Sequence, residues 1–148
     1  MPKVTYTAAK GLFQSAGSGL DIAGEVRGAK KKIIQTTTTL TLAESGAVLA
    51  PVAGAAQTFT LPDVTTAAGF EVTFYAGSAQ AHVVNGGGAK FQGVNYHNSN
   101  TTTFARAAIS NRSSLTLQNG AVGDHMTIVG DGTNYYVFSW TNNALTLA

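Results

Sequence analysis

The chain has 148 residues, of which 44% are hydrophobic and only 11% charged, and it contains no cysteine. A length near 150 residues suits one domain that buries about 68–70% of its unfolded surface, so no disulfide or metal staple is required. The lack of cysteine excludes a disulfide framework, a thiolate metal site and a cysteine nucleophile. The net charge of +2 is unevenly spread: residues 1–32 carry six basic and two acidic side chains, net +4, whereas residues 33–148 carry three and five, net −2.

An ordinary soluble domain is roughly 25% charged. Here Thr, Ser, Asn and Gln carry the polarity instead, with 17 Gly and three Pro, a mixture that favours strands and turns over helices. No apolar run approaches 18 residues, and the start, MPKVTYTAAKGLF, has no signal-peptide pattern. Synthesis in the cytoplasm and no membrane partner are therefore expected.

Residues 1–32 alternate short apolar pairs with Gly and Ser and sustain neither a helical nor a strand period. They are expected to form an extended basic arm ordered by contact with a partner. Leu12, Phe13, Leu20, Ile22 and Val26 give it more apolar surface than a solvated tail carries.

From Ile33 the period becomes two. IIQTTTTLTL reads as one half-buried strand, with Ile34, Thr36, Thr38, Leu40 and Leu42 on one face. A turn at ESG (44–46) follows. AQTFTLP and FEVTFYAG then alternate in the same way, with Phe59 and Leu61, then Phe70, Val72 and Phe74, on single faces. Residues 81–113 show candidate strands at 81–84, 89–92 and 102–106 between Asn and Gly loops. Beyond them Leu115 and Leu117, Met126 and Ile128, and Tyr136, Phe138 and Trp140 recur at alternate positions. Phe74, Ile128 and Phe138 are expected in the core. Strands every 8–12 residues with turns between them predict an all-β fold, an antiparallel, tulip-like β-sandwich or barrel over 33–148 behind the arm.

Few residues offer chemistry. Asp131-Gly132 lies between two alternating runs and reads as a hairpin corner; an EF-hand would need further acidic ligands, and none follows it. His82, His97 and His125 form no metal-ligand spacing. NGGGAKF (85–91) lacks the Ser or Thr and the helix of a phosphate loop. No G-x-S-x-G elbow appears, and the five acidic residues of 33–148 sit mostly at turns. The expectation is a non-enzyme without metal or cofactor. The basic run RGAKKK lacks the aromatic platforms of nucleic-acid binding, so no nucleic-acid partner is expected.

The cadence TLTLAESGAVLAPVAGAAQTFTLPDVTTAAGFEVTF, with VGDHMTIVGDGTNYYV, resembles a module of tailed-bacteriophage structural proteins, the capsid decoration (cement) proteins and some fibre domains, over residues 40–148. The resemblance implies a virion structural protein on the outer capsid surface, usually a homotrimer, that clamps subunits of the major capsid protein. The anchoring arm would use Lys3, Val4, Tyr6, Lys10, Leu12, Phe13, Leu20, Ile22, Arg27, Lys30, Lys31 and Lys32, its apolar side chains filling pockets while its backbone extends a partner's sheet. The alternative is a tail-fibre or carbohydrate-binding module in which Tyr96, Tyr135 and Tyr136 stack on sugars.

Overall fold

A computed structural model of the protein describes residues 4–7, 11–14 and 32–148, apart from 53, 89, 101, 102 and 118–120. The chain divides into two units, 1–30 and 31–148. In the first, β1 (Val4–Thr7) and β2 (Gly11–Gln14) pair antiparallel, with Tyr6 opposite Leu12 and Thr5 opposite Phe13.

The second unit begins with β3 (Ile33–Ile34), β4 (Thr38–Thr39), β5 (Val48–Leu49), β6 (Thr58–Thr60), β7 (Glu71–Tyr75) and β8 (Val83–Asn85). It continues with β9 (Lys90–Asn100), β10 (Thr103–Arg112), β11 (Ser114–Thr116), β12 (His125–Gly130), β13 (Asn134–Thr141) and β14 (Thr146–Leu147). These strands form a seven-stranded sheet, ordered β10-β9-β13-β12-β7-β5-β3, and a five-stranded sheet, ordered β14-β11-β8-β6-β4. The unit is an all-β sandwich, as the alternation predicts.

The sheets are mixed rather than antiparallel, which corrects the expected topology. From β3 to β8 successive strands alternate between the two sheets, so each return to a sheet arrives in the same direction. Hence β3, β5 and β7 are parallel neighbours in one sheet, and β4, β6 and β8 in the other. The expected single strand over Ile33–Leu42 is correspondingly split between sheets. Gln57 Oε1 accepts from the Thr37 amide (2.7 Å) and hydroxyl (3.0 Å), and Thr37 Oγ1 accepts from Thr58 N (3.0 Å), which ties the crossing down. Leu40 reaches the core, while Leu42 opens an exposed 3-10 turn, Leu42–Glu44.

The expected segments at 89–92 and 102–106, over their described residues 90–92 and 103–106, belong to one long hairpin, β9–β10, and β13 lies parallel to β9 on its other side. At Gly93 (φ 146°) these backbones approach so closely that a Cβ would run into the Val137 carbonyl oxygen, so glycine is required there.

Between the sheets lie Phe59, Phe74, Phe91, Leu49, Leu61 and Tyr135, among others, all fully buried. Phe59 of the smaller sheet meets Phe74 of the larger edge-on, at a centroid distance of 5.9 Å. Phe74 and Ile128 are core as expected, but Phe138 is 51% exposed. In β13 the inward set is Tyr135, Val137, Ser139 and Thr141. Ser139 and Thr141 are accepted in the interior because Asn95 Nδ2 donates to both hydroxyls, at 3.0 and 2.8 Å, which satisfies polar groups that would otherwise destabilise the core. Phe74→Ala and Ile128→Ala should each lower unfolding free energy by about 2–5 kcal/mol in urea titrations. Phe138→Ala should lower it by less than about 1 kcal/mol.

Candidate functional site

Of the expected arm residues, Val4 and Tyr6 lie on β1 and Leu12 and Phe13 on β2. Lys3, Lys10, Leu20, Ile22, Arg27, Lys30 and Lys31 lie outside the described residues. Lys32 is held in the sandwich: its carbonyl accepts from Val48 N at 2.8 Å, and its ammonium pairs with Glu44 at 2.7 Å. That ammonium, followed by the Thr41 hydroxyl and amide, holds the Glu44 carboxyl down to about 2. The Lys32 end of the pair is solvent-exposed, so the pair contributes little to stability.

The outer face of the seven-stranded sheet is the distinctive surface. Residues paired in register share a face, so one row runs Tyr75, His125, Trp140, Tyr96, Arg106 from β7 to β10. The next runs Thr73, Thr127, Phe138, Val94, Ala108. A third carries Glu71, Val129, Tyr136 and Gln92. Tyr96 stacks on Trp140 (5.7 Å, 27°) and contacts Phe138 (5.8 Å), and Phe104 meets Trp140 edge-on at 5.6 Å. The rings brace one another yet stay open to solvent: Trp140 is 45% exposed and Phe104 65%. A contiguous apolar patch of this kind marks an interaction surface.

Beside this face, Phe104, Trp140, Asn98, Asn142 and the 121–124 loop line an open cleft of about 330 Å³. Asp124 in its lining is committed to structure, accepting from Asn142 N (2.8 Å) and Ala121 N (3.1 Å). Burial pushes its carboxyl up, and the two amides pull it partly back. Of the tyrosines expected to stack on sugars, Tyr96 and Tyr136 are on the outer face. Tyr135 is buried, its hydroxyl donating to the Pro62 carbonyl at 2.9 Å; burial, then the Asp63 charge, pushes it up to about 12.

Asp131 is the corner of the β12–β13 hairpin: its carboxylate accepts from Thr133 N and Asn134 N, both at 2.7 Å, and these amides hold it below the usual range. Only Gly132 in this turn has positive φ (91°), whereas a type I′ turn would need two such residues. Among the described residues no three His, Asp or Glu side chains gather as a metal site.

His82 is buried beside Phe74, accepting from Gln57 N at Nδ1 (3.1 Å), with Ser78 Oγ 3.0 Å from Nε2. The accepting Nδ1 leaves the proton on Nε2, so the folded ring is neutral. Burial lowers its pKa from 6.5, partly offset by Ser78. The unfolded state therefore binds the proton first as pH falls, and stability must fall with it. Unfolding free energy should decline from about pH 7.5 to about 6, above the carboxyl range. His82→Gln should be less stable at pH 7.5, with that decline flattened in urea titrations. Compared with known protein families, curated proteins and solved structures, the chain matches none.

Proposed function

We propose that this protein is a non-enzymatic virion structural protein that decorates and stabilises a bacteriophage capsid by binding the outer surface of the major capsid protein shell. The observation that carries the reading is the separate N-terminal unit with its β1–β2 hairpin of two four-residue strands. A two-stranded hairpin is marginal in water unless a further strand or surface completes it. A neighbouring subunit's sheet edge supplies both, through main-chain hydrogen bonds and pockets for alternate side chains. The net +4 of residues 1–32 adds steering towards an acidic shell.

A clamp that binds assembled subunits and not free ones stabilises the shell by mass action. Capsid-bound copies grouped in threes, as the resemblance implies, would gain roughly 10²–10⁴ in avidity from linked weak contacts. The test is co-sedimentation with expanded, undecorated capsids. Saturable binding at a fixed ratio is expected, and it should be lost on deletion of residues 1–28 while the circular dichroism of the sandwich persists. Binding unchanged by that deletion would overturn the anchoring role.

The cleft between Phe104 and Trp140, with the Asn98 and Asn142 amides on its wall, favours a second reading, a carbohydrate-binding fibre module. Aromatic rings with a few placed polar groups suit sugar recognition. Glycan titrations that shift Trp140 fluorescence, with Phe104→Ala abolishing the shift and no capsid binding, would replace the first reading with this one.

A further inference from the structure

The outer sheet face carries its few charges asymmetrically. Taking β13 as the midline, Glu71 lies on the β7 side, while Lys90 on β9 and Arg106 on β10 lie on the other. Register fixes their places: Glu71 lies opposite Val129, in the row of Tyr136; Arg106 lies beside Tyr96, in the row of Trp140; Lys90 lies beside Asn134, at the start of β13. Between them the surface is mainly aromatic, aliphatic or threonine, with His125, Gln92 and Asn134 among these side chains and Asp131 against Tyr136 at the β12–β13 corner.

A two-fold axis lying in this face along β13 exchanges its two sides. It sets β13 of one copy over β13 of the other, brings Phe138 and Trp140 to the centre, and places each Glu71 on the basic side of the partner copy, one row from Lys90, with Arg106 about 14 Å farther along the strand. An isologous contact must be self-complementary in this way. A face of one sign would repel its own copy, and one with its acid and bases on the same side would gain no pairing across the axis. The two β13 strands then run in the same direction, within the ~30° range of aligned sheet packing, with about 10 Å between layers.

The size is also suitable. Five strands about 4.8 Å apart, and the eight residues of β13 at about 3.4 Å each, outline roughly 600 Å² in projection. Protruding rings raise the accessible area above the projected area, towards the ~800 Å² per partner of a standard interface. The composition, aromatic at the centre with charges at the rim, matches that of interface cores.

From these observations we infer that the free protein self-associates as a two-fold dimer through the outer face of its seven-stranded sheet, a second copy covering Phe138 and Trp140. The inference rests on the sandwich alone and is independent of capsid decoration; a dimer that ignores capsids upholds it and overturns the decoration reading.

The experiment is sedimentation velocity and light scattering on the full chain, with charge-swap variants. The wild type should have the mass of two chains, and emission from Trp140, the only tryptophan, should shift to the red as dilution dissociates it. Glu71→Lys alone, and Lys90→Glu with Arg106→Glu, should each weaken association at least tenfold by setting like charges together. An equimolar mixture of the two variants should recover it, because every cross-pair is then opposite in sign. Phe138→Asp, at an exposed position, should give a folded single chain. A wild-type mass of one or three chains, or association unmoved by Glu71→Lys, would overturn the inference, as would failure of the two variants to complement each other.

Discussion

The phase of β13 is set from inside the sandwich, and the outer surface follows from it. Tyr135 is clamped by its hydroxyl on the Pro62 carbonyl and by its ring against Phe70 and Phe91. Four residues on, Asn95 of β9 holds Ser139, and then Thr141. With period two, residues 135, 137, 139 and 141 inward oblige 136, 138 and 140 outward. A one-residue slip would bury Phe138 and Trp140, but it would also strand the Asn95 amide and expose Tyr135 and Val137. The outward aromatic face is thus a consequence of satisfied hydrogen bonds within, and it gains a brace from the Tyr96–Trp140 stack.

This strand also shows where the sequence is legible and where it is not. The all-β class, the Asp131 corner and the burial of Phe74 and Ile128 could be read from alternation and turn chemistry. In YYVFSWT both phases are apolar through Phe138, and hydrophobicity alone favours the wrong one because Trp140 outweighs Ser139 and Thr141. The deciding partner, Asn95, lies more than 40 residues away. Topology was hidden for a related reason: a turn that reverses the chain within a sheet and one that carries it across to the other sheet use the same Gly, Ser and Pro residues. Long-range ties such as that of Thr37 to Gln57 distinguish them.

The alternation of β3 to β8 between sheets has an energetic logic. Parallel strands of two or three residues present few ladder hydrogen bonds, so side chains that bridge the crossings supply part of the order. The Thr41–Glu44 box and the Asp63 cap on Thr65 close two of the turns, satisfying amides that short strands leave over. Threonine is abundant here because one side chain can serve the pleated surface and the crossing alike. A low charge content is compatible with solubility when hydroxyls and amides take up this work.

The outer face remains the exception to that economy. Elsewhere threonine and asparagine wet the surface, whereas this face spends its exposed area on rings in mutual contact. A ring exposed to water is disfavoured by its apolar area, and adjacent rings recover part of that by covering one another. The remainder is recovered only when another surface excludes the water. Formal charges lie to the flanks, Glu71 on one side of β13 and Lys90 and Arg106 on the other, so that few are desolvated at the centre and orientation depends on the flanks. The same strand that closes the core from within therefore presents Tyr136, Phe138 and Trp140 without, and its hydrogen-bonded inner face fixes which rings are offered and at what spacing.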